Sequence, residues 1–191
     1  DNGGLANAGG VWVFHGRQAS PPDATADKQL LGSEAFALYG YGLAGAGDVN
    51  RDGYSDLLVG QPYRDAAGAD SGRAFLYPGA TSGLGAAIWW TDGAAIGEHL
   101  GWVVAGGGDV NGDGYSDFVV TSPDAETSVS GTTYEAGGRA RLFLGGPAGP
   151  TQADMVFEGD TEGGRLGLSA ALAALAPGTV IREAPPIAFV K

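Results

Sequence analysis

Two stretches of this sequence place an oxygen-bearing side chain at nearly every second position. Asp48-Val49-Asn50-Arg51-Asp52-Gly53-Tyr54-Ser55-Asp56 offers side-chain oxygens at its first, third, fifth and ninth residues and a backbone carbonyl at its seventh. Sixty-one residues on, Asp109-Val110-Asn111-Gly112-Asp113-Gly114-Tyr115-Ser116-Asp117 repeats the arrangement. A hard cation such as Ca²⁺ takes ~6 to 8 oxygens at ~2.3 to 2.6 Å, supplied by one tightly curled loop. The expected ligands are Asp48, Asn50, Asp52, the Tyr54 carbonyl and Asp56 in one loop, and Asp109, Asn111, Asp113, the Tyr115 carbonyl and Asp117 in the other. That makes two Ca²⁺ sites. The glycine at the sixth place, Gly53 or Gly114, has no Cβ to forbid a sharp bend. Three carboxylates in one loop repel each other, so a bound cation would neutralise them and staple the segments on either side.

What must position these loops follows from their flanks. An EF-hand would carry a bidentate Glu at its twelfth place. Here that place is Val59 or Val120. The runs Leu57-Leu58-Val59 and Phe118-Val119-Val120 are continuously apolar and stop at Pro62 and Pro123, which reads as buried strands and not helices. Upstream lie the small-residue runs ending in Gly47 and Gly108. Downstream, the β-rich run Gly72-Arg73-Ala74-Phe75-Leu76-Tyr77 is echoed by Gly138-Arg139-Ala140-Arg141-Leu142-Phe143 and, before the first loop, by Val11-Trp12-Val13-Phe14. Gln29-Leu30-Leu31, Ile88-Trp89-Trp90 and Met155-Val156-Phe157 supply outer strands.

Four short strands in about sixty residues is the size of a propeller blade. The fold class is therefore all-β, with β-propeller blades of four antiparallel strands. The units divide as residues 1–38, the last two strands of a blade; 39–97 and 98–163, full blades each with a calcium loop; and 164–191, a degenerate first half of a blade. In that last unit Leu172-Ala173-Ala174-Leu175-Ala176-Pro177-Gly178 stands where the acidic loop should be, and Ile187–Val190 is its candidate second strand. About three blade equivalents fall short of the ~4 to 8 of a closed ring. The expectation is a partial propeller or a ring closed by association with a second copy.

Composition agrees. In 191 residues there are 36 glycines and 10 prolines, which suits short strands and tight turns. A formal charge of −12 excludes the basic stripe that nucleic acid requires and favours cations. No cysteine is present, which removes disulfides, zinc thiolates and a Cys nucleophile. No run reaches the ~18 to 20 apolar residues of a membrane span. The start, Asp1-Asn2-Gly3-Gly4, has no leader character, so either a leader has been removed or the chain is an excised piece.

These residues resemble the FG-GAP β-propeller repeats of the integrin α-subunit type. Tyr41-Gly42 and Leu100-Gly101 stand for the Phe-Gly start, the acidic loops for the family's calcium loop, and Gly60-Gln61-Pro62 and Thr121-Ser122-Pro123 for the Gly-Ala-Pro end. The resemblance spans residues 9 to 170. It implies a seven-bladed ring in the family fold, with ions between the first and second strands of a blade on one face.

Catalytic signals are weak. His15 and His99 form no metal-spaced pair and read as strand-end surface residues. No Gly-x-Ser-x-Gly elbow occurs, and carboxylates such as Asp70, Glu98, Asp124, Glu126 and Glu135 form pairs only as any acidic chain does. Aromatic faces are better candidates for recognition. Trp12 and Trp102 read as packing between blades, while Trp89 and Trp90 are taken as exposed platforms for a protein or glycan ligand. The loops Tyr63–Ser71 and Asp124–Gly137, on a rigid scaffold, are further candidates. The function read here is a non-enzymatic, calcium-stabilised extracellular or cell-surface module for adhesion or protein and glycan recognition. Alternatives are an accessory segment of a secreted hydrolase or lyase, and an assembly module closing through its half blades.

Overall fold

The computed structural model describes residues 4–14 and 25–172, and its regular elements are all strands. They are β1 (Gly10–Val13), β2 (Lys28–Leu31), β3 (Leu43–Gly47), β4 (Asp56–Gln61), β5 (Arg73–Tyr77), β6 (Trp89–Asp92), β7 (Val104–Gly108), β8 (Asp117–Ser122), β9 (Thr127–Val129), β10 (Thr132–Tyr134), β11 (Arg139–Phe143) and β12 (Met155–Glu158). Among these residues no helix is long and apolar enough to cross a membrane.

Two four-stranded antiparallel sheets form the body, in the orders β3-β4-β5-β6 and β7-β8-β11-β12. Each runs as a simple meander. A two-stranded sheet, β1-β2, packs ahead of them as the outer half of a further blade. The predicted blade pattern is therefore present, twice whole and once as a pair.

The continuous apolar runs exist because each sheet is covered on both faces. From β4 and β5, Leu58, Ala74 and Leu76 point one way, into a core shared with Leu100, Val104, Phe118, Val120 and Phe143 of the next blade. Val59 and Tyr77 point the other way, with Val11 and Tyr39. From the second blade Val119, Ala140 and Leu142 face outward again, against Phe157, Ala170 and Leu172. Alternation along each strand thus feeds two cores at once. The innermost strands approach closely enough to require small residues, since a Cβ on Gly106 would stand 2.8 Å from the Ala46 Cα. That is the physical content of Ala44-Gly45-Ala46-Gly47 and Ala105-Gly106-Gly107-Gly108.

Successive units are joined by one recurring contact. Tyr39, Leu100 and Leu166 each form a parallel bridge to a glycine, Gly9, Gly72 and Gly138, of the unit before. The next residues, Gly40, Gly101 and Gly167, all have left-handed φ, 89°, 90° and 98°. This corrects the register read from sequence. The dipeptide equivalent to Leu100-Gly101 is Tyr39-Gly40, and Tyr41-Gly42 follows it. The duplicated Tyr-Gly hid a two-residue slip.

A second difference lies in the segment Asp124–Gly137, expected as an open loop. It contains the hairpin β9-β10, with Val129 opposite Thr132. Ser130 and Gly131 have φ of 52° and 83°, the doubly left-handed turn that matches strand twist. Thr-Ser-Val before Ser-Gly and Thr-Thr-Tyr after it carried that signal in the sequence. The expected strand Ile187–Val190, and all but Leu172 of the degenerate loop, lie outside the described residues.

Strand direction assigns the loops to two ends. The acidic β3–β4 and β7–β8 loops share one end with the connections after β5 and β11. The β4–β5, β6–β7 and β8–β11 connections lie at the other.

Candidate metal centres

Both acidic loops fold alike, and they do so through their own carboxylates. In the first, Asp48 accepts hydrogen bonds from the Asp52 and Gly53 amides at 3.0 and 2.8 Å. The Asn50 carbonyl oxygen accepts from Asp52 N–H at 2.9 Å, and Asp52 accepts from Tyr54 N–H at 2.9 Å. In the second loop Asp109 caps Asp113 and Gly114, Asn111 caps Asp113, and Asp113 caps Tyr115. Gly53 and Gly114 have φ of 91° and 88°, as the bend at the sixth place demands. Short polar side chains that cap the next amides hold a loop tightly curled without regular structure.

The ninth residue of each loop is the buried one. Asp56 and Asp117 open β4 and β8 and are almost wholly excluded from solvent. Asp56 accepts N–H bonds from Val49 and Gly79, and Asp117 from Val110 and Gly145. Each ties its loop to the turn after the third strand of its blade. Burial raises both carboxyl pKa values, those amide bonds counteract it, and the neighbouring acids Asp52 and Asp48, or Asp113 and Asp109, raise them further. Neither Asp makes an ion pair with a cationic side chain among the described residues. Like charge is therefore concentrated at a partly desolvated point in both loops.

In this conformation the carboxylates are turned onto peptide N–H groups, and among the described residues no three acidic or histidine side chains converge tightly enough to hold a metal. The donor set still fits a hard cation: three carboxylates, one amide oxygen and a carbonyl on a curled backbone, with no nitrogen or sulfur ligand. Coordination would require side-chain rotation about a backbone already curled.

The loops also touch each other. Asp48 N–H donates to Ser116 Oγ at 3.1 Å, and Ser116 N–H donates to the Asp48 carbonyl at 3.0 Å. Arg51 crosses from the first loop to lie over the Tyr115 ring of the second, 5.7 Å from its centroid.

The tryptophan pair divides. Trp90 is 55% exposed, with the Arg73 guanidinium 5.8 Å from its ring centre. Trp89, expected to be exposed as well, instead wedges between blades, edge-on to Phe118 at 5.3 Å and Phe143 at 4.8 Å. Neighbours on a strand face opposite ways, and the inward face of β6 here meets the next blade.

The end opposite the acidic loops holds side chains the sequence did not single out together. Tyr41, Tyr63, His99 and Trp102 form an aromatic cluster with ring centres 4.8 to 6.0 Å apart. His99, read from sequence as a surface residue, is partly buried, with Nδ1 2.8 Å from Asp124 Oδ2. Asp124 also pairs with Arg165 of the following unit. Glu98 is 1% exposed and receives Arg141 at 2.5 Å and Arg139 at 3.4 Å, together with the Ala94 and Ala95 amides. Only the spacing of Glu98 from Leu100 could have signalled this. His15 lies outside the described residues.

An all-β chain of stacked four-stranded blades, with one acidic loop between the first and second strands of each, defines a propeller-repeat protein. Residues 39–77 and 100–137 match the FG-GAP repeat family, starting at Tyr39 and Leu100, two of the three residues that make the inter-unit bridges. The chain carries two segments that match the FG-GAP repeat, and it is similar in sequence to integrin α subunits. It is 34% identical over 109 residues to integrin alpha-PS3 of Drosophila melanogaster, covering 52% of this chain and 9% of that protein. It is 35% identical over 132 residues to integrin alpha-PS2 of the same organism, covering 63% and 9%. It is 31% identical over 120 residues to integrin alpha-IIb of Mus musculus, covering 61% and 11%. The chain thus spans about a tenth of the length of these relatives.

Proposed function

We propose that this chain is a calcium-stapled, non-enzymatic propeller module of an extracellular or cell-surface protein, serving adhesion or recognition of a protein or glycan ligand. Each acidic loop takes one Ca²⁺, through Asp48, Asn50, Asp52, Tyr54 O and Asp56, or through Asp109, Asn111, Asp113, Tyr115 O and Asp117. The observation that carries this reading is the duplicate concentration of like charge at buried Asp56 and Asp117, which face no cationic partner among the described residues. An ion there relieves repulsion and fixes the turn from the first strand to the second, so it acts as a staple and not as a sensor. The likeness to integrin α subunits supports the extracellular, adhesion-type setting. Recognition belongs to the opposite end, where Tyr41, Tyr63, His99 and Trp102 gather on rigid connections. Trp90 offers a second, isolated aromatic face.

Calorimetric titration with CaCl₂ tests the staple. Two sites are expected, with dissociation constants of ~10⁻⁴ to 10⁻³ M, as in extracellular calcium modules. The melting temperature should fall in EDTA. No binding heat, together with identical melting curves in EDTA and calcium, would overturn the reading.

A further inference from the structure

Between β1-β2 and the first full blade lies an open cavity of about 360 Å³ whose walls include Ser33, Gln61, Arg64, Arg73 and Phe75. Gln61 is 1% exposed, yet among the described residues its Nε2 has no hydrogen-bond partner, and neither has the buried Nε of Arg64. Buried donors without acceptors are costly and call for a ligand oxygen or water. The nearest acid of the adjoining connection, Glu34, is already engaged, accepting from Asp65 N–H at 2.9 Å and facing Arg64 Nη1 at 3.3 Å. Arg73 is held by Asp92. The unmet demand is for acceptors.

The next interface along the chain shows what fills the equivalent place. The units superpose through Gly32 with Gly93, which donate to Gly9 and Gly72 of their own units, and through Tyr39 with Leu100, which bridge to those same two glycines from the unit that follows. By that register Ser33 corresponds to Ala94 and Ala37 to Glu98, and the equivalent bridges of Gly72 and Gly138 match Arg73 to Arg139 and Phe75 to Arg141. In the second interface the Glu98 carboxylate lies against the Ala94 amide, Arg139 and Arg141. In the first, the residue at its position is Ala37, which has no carboxylate to give. Ser33, Arg73 and Phe75, the counterparts of Glu98's surroundings, all line the cavity.

We propose that this cavity binds a carboxylate supplied from outside the fold, standing where Glu98 stands in the next interface. Its oxygens accept from Gln61 Nε2 and Arg64 Nε, and the apolar body of the ligand rests on Phe75 and Leu30. A free small carboxylate and an acidic side chain of a partner protein share this chemistry.

The test is nitrogen-15 NMR of the chain in calcium buffer, read at the Gln61 side-chain amide and Arg64 Nε–H. The probes are sodium acetate and the capped peptide acetyl-Gly-Glu-Gly-amide. Acetamide and the matching glutamine peptide serve as uncharged controls. Saturable shifts with the carboxylates and not with the controls are expected, and Arg64→Gln should weaken binding roughly tenfold, the size of one charge-assisted bond. A peptide that saturates well below acetate assigns the site to a partner's acidic segment, whereas similar saturation assigns a free carboxylate. Ala37→Glu, which supplies the acid internally, should move the Gln61 amide to its bound position and abolish probe binding while the fold still melts cooperatively. The proposal fails if neither carboxylate gives a saturable shift below ~50 mM. It fails equally if the uncharged controls shift the same resonances.

Discussion

Truncating Glu98 removes a buried polar contact between the two full blades. Its carboxylate sits at 1% exposure and answers four donors: the Ala94 and Ala95 amides, Arg141 and Arg139. Arg139 has a second acid, Glu158, at 2.8 Å, whereas among the described residues Arg141 keeps only the Asp92 carbonyl at 3.2 Å. Burial already lowers the Arg141 pKa, and Glu98 is what offsets that. Glu98→Ala therefore strands a buried guanidinium and two amides. Removing one partner of a buried pair costs ~3 to 5 kcal/mol. At ~2 to 4 °C per kcal/mol for a chain of this size, the melting temperature should fall by roughly 6 to 20 °C. Glu98→Gln keeps the shape and one acceptor and should lose about half as much, since a neutral bond replaces a charged one. The assay is urea unfolding at fixed calcium, extended to a double-mutant cycle with Arg141→Met. The double variant should recover most of the loss because no buried charge remains. A Glu98→Ala cost under 1 kcal/mol, or a cycle with no coupling, would refute the assignment of Glu98 as the clamp.

Trp89→Ala removes the wedge against Phe118 and Phe143 and should cost ~3 to 5 kcal/mol, whereas Trp90→Ala on the exposed face should cost under ~1 kcal/mol; chemical denaturation of both variants checks the division. Gly60→Ala should prevent folding or lower the midpoint sharply, because a Cβ there would overlap the Gly101 carbonyl; Gly53→Ala meets open space and should cost only ~1 to 2 kcal/mol for its left-handed φ. Asp52→Asn and Asp113→Asn should each remove one equivalent of calcium in a calorimetric titration and leave the other loop's equivalent in place. Retention of two equivalents by either variant would contradict the ligand assignment.

The blade order was legible because two local signals agreed: continuous apolar runs at Leu57–Val59 and Phe118–Val120 mark strands covered on both faces, and the acidic loops mark the turns before them. The backbone curl of those loops was also legible, since Asp, Asn and Gly cap and bend a chain through neighbours within a few residues. What stayed hidden depends on contacts between units. The Tyr39-Gly40 register could not be separated from Tyr41-Gly42 by composition, because only the bridge to Gly9 distinguishes two identical dipeptides. Trp89 and Trp90 are equally aromatic, and their roles differ only because a second sheet covers one face of β6. The same holds for Ala37 and Glu98. A repeat fixes the backbone at both positions and leaves the side chain free, so one interface is closed by its own buried acid while the other keeps unpartnered donors around a cavity. In a repeat protein the shared residues build the scaffold, and chemistry that distinguishes one unit from the next must be sought where superposed positions disagree.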